Sequence, residues 1–129
     1  MKNIFKCGDK KSFTHVVNEN DTVNFPEGKL HNVYSTYSMA RDAEWVCRLF
    51  VLDMKEDDEE GIGTMIKIVH HAPAAVGSTV IFTGSFISLN KNEIICAFEA
   101  HCGQRLIAVG ETGQKILKKE KLEQLFRNI

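Results

Sequence analysis

The chain has 129 residues, 43% of them apolar and 26% charged, with a formal net charge of −1. That is enough chain for one domain, residues 1–129, with a core of its own. So balanced a charge marks neither a nucleic-acid surface nor a membrane-binding one, and no apolar stretch approaches the roughly 20 residues of a membrane-spanning helix.

The opening MKNIFKCGDKK is charged too soon for a secretory signal, so the protein is expected in the cytoplasm. Four cysteines, Cys7, Cys47, Cys96 and Cys102, form no C-x-x-C pair and no common zinc spacing. They are expected as reduced thiols, with Cys47 acting as a small core hydrophobe.

Residues 12–24 (SFTHVVNENDTVN) read as an extended segment with a turn at Asn18 to Asp21, broken by Phe25-Pro26-Glu27-Gly28. From Thr36 to Met54 the apolar period becomes helical. Met39, Ala43, Val46, Cys47, Phe50 and Met54 fall on one face, and Trp45, Leu49 and Leu52 add apolar bulk elsewhere. Ser35, Thr36 and Ser38 are all suitable caps for its start. The charge run Lys55 to Glu60 (KEDDEE) reads as a solvated loop closed by Gly61.

Beyond it the period falls to two. Residues 63–71, 78–89, 93–102 and 105–117 predict four strands rich in Ile, Val, Thr and Phe. Asn90-Lys91-Asn92 and Cys102-Gly103-Gln104 are short turns that make the last three strands antiparallel neighbours. Residues 118–127 predict a closing helix. The economical packing is an α+β one: a meander of strands in one antiparallel sheet, with the long helix on its concave face. A sheet so rich in Phe and β-branched residues is expected to dimerise.

Three polar groups stand near the ends of these elements. Thr36 opens the long helix and reads as a cap. Glu44, two turns on, reads as an i,i+4 ion pair with Arg48. His70 ends the first strand after the acidic run, beside His71 and before Pro73. Successive strand residues point to opposite faces, so His70 and His71 do not readily share one metal, and nothing in the spacing selects His15, His31 or His101 as a third ligand. No redox or metal cofactor is indicated. Spacing alone leaves a Thr, a Glu and a His with no stated chemistry.

The stretch VYSTYSMARDAEWVCRLF followed, after the acidic gap, by GIGTMIKIVHHAPAAVGSTV resembles the fluoroacetyl-CoA thioesterase-like family of the hotdog fold. Thr36, Glu44 with Trp45, and Gly63-Thr64 with His70 match its motifs in type and spacing. SFTHVV, DTV and VGETGQKI extend the likeness weakly toward both ends. The resemblance implies a curved antiparallel sheet around one helix, usually dimeric. It also implies a catalytic group of Thr36, Glu44 and His70, with Gly63 and Thr64 close to a bound acyl-CoA.

Two departures stand out. Gln114 and Lys115 lie about where the family often has an arginine, and EGKLHNVYST lacks the phenylalanines that accompany fluoroacetyl selectivity. The implied activity is hydrolysis of a small or medium acyl-CoA, with CoA as part of the substrate and no separate cofactor. The partner is a second copy of the chain, with neither nucleic acid nor membrane. A non-catalytic hotdog module that binds an acyl-CoA is the main alternative. A dehydratase or hydratase ranks lower, because such enzymes keep their acid and histidine close in sequence on one helix segment. Here Glu44 and His70 are 26 residues apart, on helix and strand. A purely structural role would leave the three groups as cap, ion pair and strand end.

Overall fold

The computed structural model describes residues 1–129. In chain order the elements are β1 (Lys10–Val16), a 3₁₀ turn (Glu19–Asp21), β2 (Thr22–Phe25), β3 (Gly28–Tyr34) and α1 (Thr36–Met54). There follow β4 (Glu59–His70), β5 (Thr79–Asn90), β6 (Glu93–Cys102), β7 (Arg105–Lys118) and α2 (Lys119–Arg127). Five strands form one sheet in the order β1-β5-β6-β7-β4, antiparallel throughout. The sheet curves around α1, which packs against all five strands.

The helical face read from the sequence is the buried one. Met39, Ala43, Val46, Cys47, Phe50, Val51 and Met54 meet Val80, Phe82, Phe86, Ile94, Cys96, Phe98 and Ile107 in a single core cluster. Phe50, Phe82 and Phe98 are the largest fully buried side chains, each contributing about 1.5–3 kcal/mol. All four cysteines are free thiols, Cys47 and Cys96 in this core. Neither helix is long and apolar enough to cross a membrane.

Three expectations are corrected. The four strands do not run as a simple meander: β4 lies beside β7 at one edge, and the chain crosses to β5 through residues 71–78. That connection, with Pro73 and Gly77, is too long for a tight hairpin. β4 also starts at Glu59, inside the acidic run, because Glu59 and Glu60 pair with Lys118 and Leu117 of β7. Charge hid a strand end that sits at a sheet edge.

The third correction concerns residues 22–34, which form a two-stranded hairpin outside the main sheet. Phe25-Pro26-Glu27-Gly28 is its turn rather than a break, closed by Gly28 at φ 124°. Most of β3 is exposed, so it carries no alternating apolar signal.

Candidate active site

The polypeptide brings Thr36 and His70 together. Thr36 Oγ1 and His70 Nε2 lie 2.8 Å apart, and the hydroxyl donates to the ring when the imidazole carries its proton on Nδ1. The helix cap is not Thr36 but Ser35, whose Oγ accepts the Ser38 amide at 3.0 Å. Thr36 is the first helical residue, and its hydroxyl is free for the histidine.

Backbone bonds fix both partners. The Ser35 amide donates to the Asp21 carbonyl and the Tyr34 amide to that of Ala74. The His71 and Ala72 amides both donate to the Ile107 carbonyl. Strand pairing ends at His70, so alternation of side chains stops there. Both histidines border one shallow depression with Val33, Tyr34 and Met39. His71 is therefore nearer the site than alternation along a strand suggests.

Behind the start of α1 lies a charged cluster that the sequence did not reveal. His15 Nε2 is 2.6 Å from Asp21 Oδ2 and 3.7 Å from Asp42 Oδ2. Arg41 bridges the same carboxylates, at 3.1 Å to Asp21 and 3.0 Å to Asp42. The Tyr34 hydroxyl donates to Asp42. Burial disfavours ionised Asp21, but the Asn18 amide, His15 and Arg41 outweigh it and hold its pKa below the ordinary carboxylate value. Burial, then the Asp42 hydrogen bond, pushes the Tyr34 phenol up. These residues come from β1, the 3₁₀ turn, β3 and α1, too far apart in sequence for any spacing rule.

Glu44 does not join Thr36 and His70 within one chain. Eight residues along α1 carry it about 12 Å away. It lies instead at a cleft of about 440 Å³ lined by Trp45, Arg48, Gly61, Gly63 and Gln114 among others. Its Oε1 would be 3.6 Å from a Cβ placed on Gly63.

The expected pair with Arg48 is absent. Arg48 binds Glu60 at 2.7 Å, which leaves Glu44 without an ion-pair partner in the chain. The Gly61 amide and Arg48 together keep Glu60 below the usual carboxylate range. Thr64 stands apart from the cleft. It is the extra residue of a bulge between Gly63 and Met65, and its hydroxyl donates to Glu93 at 2.6 Å. Of the two residues at the family's arginine position, Gln114 faces the cleft and Lys115 does not.

Solved structures define the class of this architecture. A hot-dog-like protein from Thermanaerovibrio acidaminovorans, 19% identical, superposes with a TM-score of 0.88 over 96% of this chain and 92% of its own. A hypothetical protein of the thioesterase superfamily from Thermus thermophilus is 35% identical, with a TM-score of 0.94 over 98% of this chain and 93% of its own. The fold is the hotdog fold of thioesterases. A mutant of the fluoroacetyl-CoA-specific thioesterase FlK, in complex with fluoroacetate and CoA, is 26% identical, with a TM-score of 0.85 over 92% of this chain and 99% of its own. Residues 17–120 match the fluoroacetyl-CoA-specific thioesterase family, and the chain belongs to that family of hydrolases. Curated protein sequences give no match.

Proposed function

We propose that the protein hydrolyses a small or medium acyl-CoA in a homodimer, with Thr36 and His70 of one chain facing Glu44 of the other. The observation that carries this reading is the Thr36–His70 contact at 2.8 Å. An imidazole titrates near neutrality and suits a general base. With the ring proton on Nε2 donated to Thr36, which holds the ring in line, His70 Nδ1 takes the proton of the attacking water that Glu44 orients, and the CoA thiolate leaves. A backbone amide near Gly63 offers the oxyanion a donor. The departing thiolate, with a pKa of roughly 8.5, needs little acid help. The only thiol cofactor involved is CoA, as substrate.

The edge of the sheet supports the second chain. β4 is the outer strand of the sheet, twelve residues long, with Met65, Ile66 and Val69 each more than a third exposed. A long unpaired edge of this kind invites a partner strand. Two β4 strands paired antiparallel about a twofold bring the Gly63 half of one strand toward the His70 end of the other. Each Glu44–Gly63 cleft then meets the other chain's Thr36–His70 pair. Further association into a higher homo-oligomer leaves this pairing intact. The free thiols fit a reducing cytoplasm, and neither nucleic acid nor membrane enters the reading.

CoA as the carrier is supported by the FlK complex with fluoroacetate and CoA. Fluoroacetyl itself is not proposed, because residues 27–35 contain no phenylalanine. Thiol release from a panel of acyl-CoAs, with the His70→Ala protein alongside, tests the reading. Turnover that collapses in the variant supports it. Saturable binding with no turnover would make the protein a binding module.

A further inference from the structure

We infer that Gln114 selects the acyl group, and that the preferred substrates are uncharged acyl-CoAs carrying oxygen on the acyl chain, as a hydroxyl or a ketone. This rests on the thioesterase reading above.

Gln114 is 93% buried (7% exposed), yet its side-chain amide has no hydrogen-bond partner in the chain. Its amide atoms reach the cleft surface, free to pair with what enters there. The little exposure it keeps is to the Glu44 cleft. In register it stands opposite Gly63, beside Glu44. Gly61, two residues before Gly63 on β4, lies close to both Val51 and the amide. A Cβ there would lie 3.6 Å from Gln114 Oε1 and collide with Val51 Cγ1 at 2.9 Å. Gln114 is the one neutral side chain of the cleft that both donates and accepts.

Charge narrows the class. Arg48 is bound to Glu60, and Arg41 to Asp21 and Asp42. Glu44 alone is unpaired, so the cleft offers no free cation and repels a carboxylate-bearing acyl chain. An amide both donates and accepts, so it pairs equally with a hydroxyl or a carbonyl oxygen. A plain alkyl chain leaves it unsatisfied, and a site built around a hydrogen bond discriminates against the analogue that lacks it.

The experiment measures kcat/KM for butanoyl-, 2-hydroxybutanoyl-, 3-hydroxybutanoyl-, 3-oxobutanoyl- and succinyl-CoA. At least one neutral oxygenated thioester should exceed butanoyl-CoA by about tenfold, the worth of one good hydrogen bond. Gln114→Met, of similar length but without donor or acceptor, should erase that ratio whatever it does to the absolute rates. Gln114→Leu serves if the methionine variant does not fold. The inference is overturned if butanoyl-CoA matches every oxygenated substrate, if succinyl-CoA leads, or if the ratio survives in the variant. Absence of thiol release from every thioester overturns the thioesterase reading and this inference with it. Release with a flat preference overturns this inference alone.

Discussion

Thr36 Oγ1 and His70 Nε2 meet at 2.8 Å although 34 residues separate them in the chain. The contact exists because Ser35 takes the capping role and frees the neighbouring hydroxyl. If His70 is the base, His70→Ala should lower kcat on the order of a hundredfold or more. Thr36→Ala should also fall, while Thr36→Ser, which keeps the hydroxyl, retains much of the rate. Thiol-release kinetics at saturating acyl-CoA check this. Equal losses in the alanine and serine variants would show that packing of the Thr36 methyl matters and its hydroxyl does not.

Glu44 poses a sharper question, since one chain holds it about two turns from Thr36. If the site is shared between chains, two dead proteins can repair each other. Dissociated and reassociated one to one, Glu44→Gln and His70→Ala chains form mixed dimers in half the cases. Each mixed dimer has one intact site of two, so roughly a quarter of wild-type activity should return. A mixture that stays inactive, with exchange confirmed by mass spectrometry, would place all three groups in one chain's site.

The sequence announced the helix and the late strands because burial there is one-sided and periodic: Met39 to Met54 at helical spacing, Val80 to Phe86 at every second residue. It hid β3, whose residues face solvent, and the start of β4, where Glu59 and Glu60 occupy a strand. The group Thr36, Glu44 and His70 came from a family likeness rather than from spacing. Spacing favoured Glu44 with Arg48, and tertiary structure gave Arg48 to Glu60 instead. The His15–Asp21–Arg41–Asp42 cluster was illegible because its members are brought together only by folding of β1 and the 3₁₀ turn onto α1.

That cluster should govern acid stability. Unfolded, Asp21 protonates near pH 3.9; folded, its pKa is lower. The stability it contributes is complete above the unfolded value and is lost as pH falls through the folded one. Asp21→Asn should cost about 2 kcal/mol at pH 7, through the lost bonds to His15 and Arg41. The gap should then begin to narrow below about pH 4, where the unfolded chain takes up a proton at Asp21, and close only below the lower folded pKa. Urea unfolding from pH 7 to pH 3 reads this directly. A gap that stays constant across the range would mean that the charge of Asp21 contributes nothing.

Gly110 links the sheet to the open edge. It sits in β7 between Ile68 of β4 and Phe98 of β6. A Cβ there would lie 1.9 Å from the Lys67 carbonyl oxygen and 2.6 Å from the Phe98 ring. A flexible side chain can give way, but the Lys67 backbone cannot move without pulling β4 off β7. Gly110→Ala should therefore destabilise the fold by about 3 kcal/mol, the upper end for overpacking, and lower Tm by roughly 10 °C. Because β4 carries both Gly63 and His70, thiol release should fall together with stability, even at temperatures where the variant is still folded. Thermal unfolding by circular dichroism, paired with activity at 20 °C below Tm, separates the two effects. A variant that melts within about 2 °C of wild type would mean that β4 and β7 do not approach this closely at Gly110.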